Sequence, residues 1–195
     1  QRQMCIRDRF WSVAPLNASL WALGGFYLSL GPTLARQVTG LQVPMIGGGL
    51  VSLLCLCGAL AIFALRHQPA AVILRRGGLA LVGGLLITLL GVDSANLWLF
   101  FLGTAVAGLG FGGGFLGALR SVVPLAHAHE RGALMASFYV LSYLAFSVPA
   151  ILAGLAIQRY GLVATTNGYA SLQILAASLV LLLSLRATGA RKAQA

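Results

Sequence analysis

Long apolar runs separated by short polar breaks dominate the chain, and six of the runs are of spanning length. A bilayer-crossing helix needs about 20 mostly apolar residues. The runs predict spans at Phe10 to Ala35, Leu41 to Leu65, Val72 to Val92, Asn96 to Leu119, Gly132 to Ile157 and Thr166 to Leu185. The uninterrupted part of the third, Gly77 to Val92, is short for the hydrocarbon core, so Arg75 and Arg76 are expected to snorkel at its end. The connections are too short to hold a soluble domain. We therefore expect one all-α membrane domain at 10–186, followed by a cytoplasmic tail at 187–195. The first nine residues, QRQMCIRDR, are far more polar than the run beginning at Phe10 and are expected to be a truncated or non-native tail.

Composition agrees with this pattern. Hydrophobic residues make up 59% of the chain and charged residues 8%, where a soluble domain carries about 25% charged. Lipid is thus the expected partner of most of the surface. A net charge of +10 would suit a nucleic-acid binder, but the basic residues form no stripe or aromatic-interleaved patch, so no nucleic-acid partner is expected. They mark topology instead. With the amino terminus inside, Arg2, Arg7, Arg9, Arg66, Arg75, Arg76, Arg120, Arg131, Arg186, Arg191 and Lys192 fall on the cytoplasmic side, and only Arg36 and Arg159 fall opposite. That bias follows the positive-inside rule and predicts a multi-pass protein of the cell inner (plasma) membrane with both termini cytoplasmic. Trp11, Trp98, Tyr160 and Tyr169 lie near span ends, where amphipathic rings anchor at headgroups.

Glycine is concentrated inside the spans, most densely in the fourth. There Gly108 and Gly112, Gly110 and Gly114, and Gly113 and Gly117 are each four apart and create small-residue faces that let backbones approach closely. That helix is expected to pack on more than one side, as a static joint or as a sliding surface. Pro32, Pro44 and Pro149 each remove a backbone donor in or near a span and mark possible kinks.

Polar residues at membrane depth are the candidates for function. Asn17 and Trp21 share a face of the first span, and an amide there needs a cavity or a partner on another helix. In the fifth span Tyr139, Ser142, Tyr143 and Phe146 recur at helical spacing, giving a polar-aromatic face that suits either a pathway for amphipathic organic molecules or simple packing. On the cytoplasmic side Glu130 is the one acid outside the tail at 1–9, and it faces Arg66, Arg75, Arg76 and Arg120, with Arg131 beside it. A charge pair across these loops could latch the inner side shut, although an exposed pair contributes only about 0–1 kcal/mol. His127-x-His129 and Cys55-x-Cys57 have no further ligands near them and read as a solvated loop and as small hydrophobes, so no metal site is expected. No Asp, Glu, Lys, Arg or His lies well inside a span, which leaves intramembrane hydrolysis without a nucleophile and base pair. Neither an enzyme, a catalytic residue nor a cofactor is expected.

Taken together, Leu28-Ser-Leu-Gly-Pro32 at the end of the first span, the loop Arg66 to Arg76, the glycines Gly108 to Gly117, Glu130-Arg131 and Tyr143 to Gly154 with its central Pro149 resemble the carboxy-terminal six helices of the major facilitator superfamily. The resemblance implies two inverted three-helix repeats, a missing amino-terminal six-helix half, and a central cavity walled by the first, second, fourth and fifth spans. The loop Arg66 to Arg76 stands where that family keeps a Gly, Asp and Arg gating motif, but it lacks the Asp. The implied function is secondary active transport by alternating access, proton-coupled and directed to efflux of a small-molecule substrate, with Asn17, Trp21, Tyr139, Ser142 and Tyr143 as substrate contacts. A self-standing six-helix protein acting as a dimeric channel or scaffold is the alternative.

Overall fold

Pro32 causes the first departure from an unbroken row of spans. A computed structural model describes residues 2–40, 44–127 and 129–192. Its first apolar run is two helices, α1 (Arg2–Ser29) and α2 (Gly31–Thr39), bent by 56° where they meet. The proline ring has no N–H to give the preceding turn and crowds the carbonyl four residues back, so one straight helix cannot pass through it. The first span is therefore a bent pair, and not the single helix over Phe10 to Ala35 that the run suggests. The backbone of residues 2–9 continues α1 without a break.

The other runs give α3 (Pro44–Leu65), α4 (Ala70–Asp93), α5 (Leu97–Val122), α6 (Arg131–Tyr160) and α7 (Leu162–Lys192), with a single 3-10 turn at Val123–Leu125. Pro44 is the first residue of α3, where a missing donor leaves no gap in the ladder, and Pro149 lies within an uninterrupted α6. Asn96 caps α5, its Oδ1 accepting the N–H groups of Trp98 and Leu99. Residues 41–43, at the start of the second predicted span, lie outside the described residues. The backbone of α7 continues through residues 187–192.

Among the described residues the fold is all-helical, and four helices are long and apolar enough to cross a membrane, or five if the bent pair is one span. α7 is not counted in that number, since the apolar run read as the sixth span, Thr166 to Leu185, extends beyond the described side chains, which include the more polar Thr165, Thr166, Asn167 and Gln173. Rows of large apolar side chains lie exposed on α3, α6 and α7, including Leu60, Phe63, Ile151, Leu155, Leu175 and Leu179. Such surface is a liability in water and the ordinary exterior of a helix bundle in lipid. These helices fit a multi-pass membrane protein.

α5 sits at the centre, between α4, α3 and α1, and its glycines explain how. A Cβ placed on Gly108 would lie 2.6 Å from the Leu54 carbonyl oxygen, and one on Gly112 would collide with the Gly58 carbonyl, so this pair faces α3. Gly103, Gly110 and Gly117 face Thr88, Leu81 and Leu74 of α4. In return Gly77, Gly84 and Gly91 of α4 face Gly114, Ala107 and Phe100 of α5. Each step of seven down one helix is matched by a step of seven up the other, the period that keeps a seam facing its partner over several turns. Gly114 also receives Leu20 of α1. Thus Gly110 and Gly114, four apart and read as one face, serve different neighbours as well as a shared one. The period that governs the α4–α5 joint is seven.

Candidate functional site

α1, α5 and α6 meet around Trp21. Its ring has five aromatic neighbours, all in edge-to-face arrangement: Tyr143 at 5.4 Å between centroids, Phe115 at 6.0 Å, Phe111 at 6.3 Å, Tyr139 at 6.4 Å and Phe146 at 6.5 Å. Edge-to-face contact sets the positive rim of one ring against the negative face of another and fixes their angles. Gly25 makes the closeness possible, since a Cβ there would run into the Phe146 carbonyl. Tyr139 and Tyr143 stack at 6.3 Å and stay 37% and 59% exposed, so the cluster is open at these two rings.

Directly beside the rings, Asn17 and Ser142 are fully buried. Asn17 Nδ2 donates to Ser142 Oγ at 2.8 Å, and that hydroxyl donates to the Phe138 carbonyl at 2.7 Å. Two polar atoms here have no partner: Asn17 Oδ1, an acceptor, and Trp21 Nε1, a donor. A buried polar group without a hydrogen bond costs about 1–3 kcal/mol. The pair lies on one face of α1 and offers one acceptor and one donor under a canopy of aromatic rings.

All five residues proposed from sequence as substrate contacts are thus brought together. Phe111 and Phe115 of α5 were not singled out, although their i, i+4 spacing inside the glycine-rich stretch places them on one stripe. α3 contributes no ring. A second polar knot was also missed: the Tyr27 hydroxyl meets Thr88 Oγ1 at 2.8 Å and accepts from Thr104 Oγ1 at 3.4 Å, tying α1, α4 and α5 together out of solvent. Tyr169, expected at a headgroup belt, is used inside the bundle. Its hydroxyl donates to the Ala22 carbonyl at 2.7 Å and its ring stacks on Phe26 at 5.2 Å. Trp98 and Tyr160 remain largely exposed at helix ends, whereas Trp11, also exposed, lies more than two turns into α1.

The residues expected to latch the loops lie at the α3–α4 turn, the first turns of α4, the end of α5 and the turn leading into α6. Glu130 Oε2 accepts the His127 N–H at 3.3 Å and so braces its own turn, while Arg131 Nε donates to the Ala126 carbonyl at 3.3 Å. Arg120 Nη1 reaches the Gln68 carbonyl at 3.3 Å, which joins the end of α5 to the α3–α4 loop through backbone. Arg66 caps the Phe63 ring at 4.1 Å and bonds His67. Arg75 and Arg76 are exposed on the first turns of α4. At the opposite end, Asn167 Nδ2 donates to Asp93 Oδ1 at 2.9 Å and links α7 to α4. Among the described residues no three His, Cys, Asp or Glu side chains converge as metal ligands.

No family model, curated protein or solved structure matches the chain.

Proposed function

We propose that the chain is the carboxy-terminal six-helix half of a secondary active transporter, with the inverted-repeat plan of the major facilitator superfamily, that exports small organic or drug-like molecules in exchange for protons. The observation that carries this reading is the Trp21 cluster, an aromatic wall with one unpaired donor and one unpaired acceptor and with its open side bounded by Tyr139 and Tyr143. Aromatic area with a few fixed polar groups is what a pocket for amphipathic organic molecules needs. Helices α1, α5 and α6 supply it, which are three of the four spans that the family resemblance assigns to a central cavity. The fourth wall would come from the amino-terminal half, and the glycine-seamed α4–α5 pair would form the rigid back against which that wall moves.

Reconstitution tests this directly. The isolated chain in liposomes is expected to be inert, because half of the cavity wall is absent, whereas the complete reading frame with six further upstream spans is expected to carry solute against its gradient. Robust, saturable uptake of an organic solute by the isolated chain would overturn the proposal in favour of a self-standing six-helix protein that pairs its open faces as a dimeric channel.

A further inference from the structure

On the other side of α1 and α6 from the tyrosines lies a cleft of about 990 Å³ that opens sideways between α6 and α7. Its walls are mostly hydrocarbon, and many are small: Ala18 and Ala22 of α1, Ala145 and Ala153 of α6, Gly168 and Ala176 of α7. The volume stands at the upper end of the roughly 300–1,000 Å³ range of ligand pockets. Along α7 the lining runs from Ala164 to Ala176, which at 1.5 Å per residue is about 18 Å. That is about the depth of one leaflet of a hydrocarbon core roughly 30 Å thick.

One end of the cleft is polar, and it is the end at the α6–α7 turn. Tyr160 and Thr165 line it there. Thr165 is 8% exposed, yet its Oγ1 has no partner. This is exceptional among the described residues. The other buried hydroxyls of serine and threonine, on Ser19, Thr88, Thr104, Ser121, Ser142 and Thr166, each donate to the carbonyl four residues back. Deeper in the cleft, Gln173 turns its amide N–H to the Ser19 carbonyl, which leaves its Oε1 unpaired at a depth where a lipid offers only hydrocarbon.

We propose that this cleft binds a diacyl phospholipid of the surrounding bilayer, with its tails along α6 and α7 and an ester oxygen accepting from Thr165 Oγ1. The bilayer is the solvent that the cleft opens to, and a phospholipid has the order of chemistry the walls require: hydrogen-bond acceptors at the turn, hydrocarbon below. The site is separate from the Trp21 cluster and does not depend on transport.

Photolabelling tests it on the full chain. In dioleoylphosphatidylcholine vesicles carrying an analogue with a diazirine on one tail, adducts are expected to be about tenfold denser on residues 141–156 and 164–176 than on the equally exposed α3 face around Leu56, Leu60 and Phe63. Uniform labelling of all exposed faces overturns the proposal, because it means fluid annular lipid. A Cβ on Gly168 meets no heavy atom within 4 Å, so Gly168→Phe puts a ring into the cleft without displacing a helix. It is expected to lower the adducts to the α3 level, and unchanged labelling of a folded variant counts against the site. If that variant does not fold, the wild-type map decides alone. Thr165→Val is expected to weaken retention of phosphatidylcholine during detergent washing, and Gln173→Leu to leave it unchanged. The reverse ranking means a different polar occupant, and cross-links between two copies across the cleft in place of lipid adducts mean a second chain. Either result overturns the phospholipid.

Discussion

The α4–α5 seam and the Trp21 cluster are both helix interfaces at membrane depth, and they are built on opposite principles. At the seam, backbone meets backbone through glycines spaced by seven on both helices, and its one polar addition, Thr88 with Tyr27 and Thr104, is hydrogen-bonded. In the cluster, five rings are held around a sixth by side-chain contact, two polar atoms lack partners, and two tyrosines stay open. Lipid tails provide no hydrophobic drive for one helix to join another, so tight association must come from close packing and satisfied hydrogen bonds. The seam meets that requirement fully and the cluster does not. Unpaired groups and open rings suit the substrate surface proposed above, whereas the seam is packed to stay shut.

The largest effect is expected at the seam. Gly84→Leu and Gly110→Leu drive a side chain into the backbone of the facing helix, where no rotamer relieves the contact. Overpacking costs about 1–3 kcal/mol in general, and more where backbone must shift. Each variant should lose most of its folded, monodisperse protein in detergent. Gly83→Leu and Gly154→Leu, whose added Cβ meets nothing within 4 Å, should melt within a few degrees of wild type. Equal stability of Gly110→Leu and Gly154→Leu would show that the two helices can part, and the contrast with the cluster would fall.

In the cluster the expected effect is on selectivity. If the complete protein is the proposed exporter, Tyr143→Ala should change the ranking of its substrates by several-fold while protein level holds, since the residue is 59% exposed and its removal opens no core. Tyr160→Ala, at the far end of α6, should change neither. Identical substrate profiles for Tyr143→Ala and wild type would return the tyrosine to packing.

A smaller pair of variants separates the two interfaces by stability alone. Thr88→Val leaves the buried Tyr27 hydroxyl with only its longer contact to Thr104 and should cost about 0.6–1.7 kcal/mol, from the mean to the maximum for helix–helix hydrogen bonds in membranes. Asn17→Leu breaks an equally short bond to Ser142 but also removes the unpaired Oδ1, so the two terms offset and stability should change by less than Thr88→Val causes. Thermal denaturation in one detergent ranks them. An Asn17→Leu loss as large as that of Thr88→Val would mean that Asn17 is held there for structure.

How far the sequence alone discloses the two interfaces depends on which interactions are local. The apolar runs place α3 to α6 because span length and polar breaks are properties of contiguous sequence, and Asn96 marks the start of α5 because a cap acts on its own next residues. Asn17, Trp21, Tyr139, Ser142 and Tyr143 could be grouped because helical spacing puts each set on one face. The bend at Gly31-Pro32 was signalled by its proline, but whether a span kinks or splits depends on the packing of Gly47 and Leu50 against it, which no local pattern contains. Likewise the seven-residue glycine period emerges only when α4 and α5 are laid antiparallel. Read along α5 alone, Gly110 pairs as readily with Gly114 as with Gly103 and Gly117. Phe111 and Phe115 were hidden by the same glycines, which drew attention to backbone approach and away from the rings between them.

The smallest effect is expected from the two acids outside the residues 1–9, because of a group that both interfaces lack. A proton carrier must be a titratable group within the pathway, and a charge at the membrane centre costs about 2.5–3.5 kcal/mol on insertion scales, so such groups persist where they function. Neither the seam nor the cluster contains an Asp, Glu, Lys, Arg or His. Asp93 stands exposed at the end of α4 and is bonded by Asn167, and Glu130 lies in the turn before α6, bonded by the His127 N–H. Both are placed to join helices or brace a loop. If the complete protein is the proposed two-half transporter and is proton-driven, its carrier then belongs to the other half, and this half supplies substrate contacts and a rigid back. Transport driven by an imposed pH gradient should therefore persist in Asp93→Asn and in Glu130→Gln, with Glu130→Gln at most slowing the cycle through a looser turn. Loss of the gradient dependence with uncoupled flux retained, in either variant, would place the carrier in this half and make one of these peripheral acids part of the working surface.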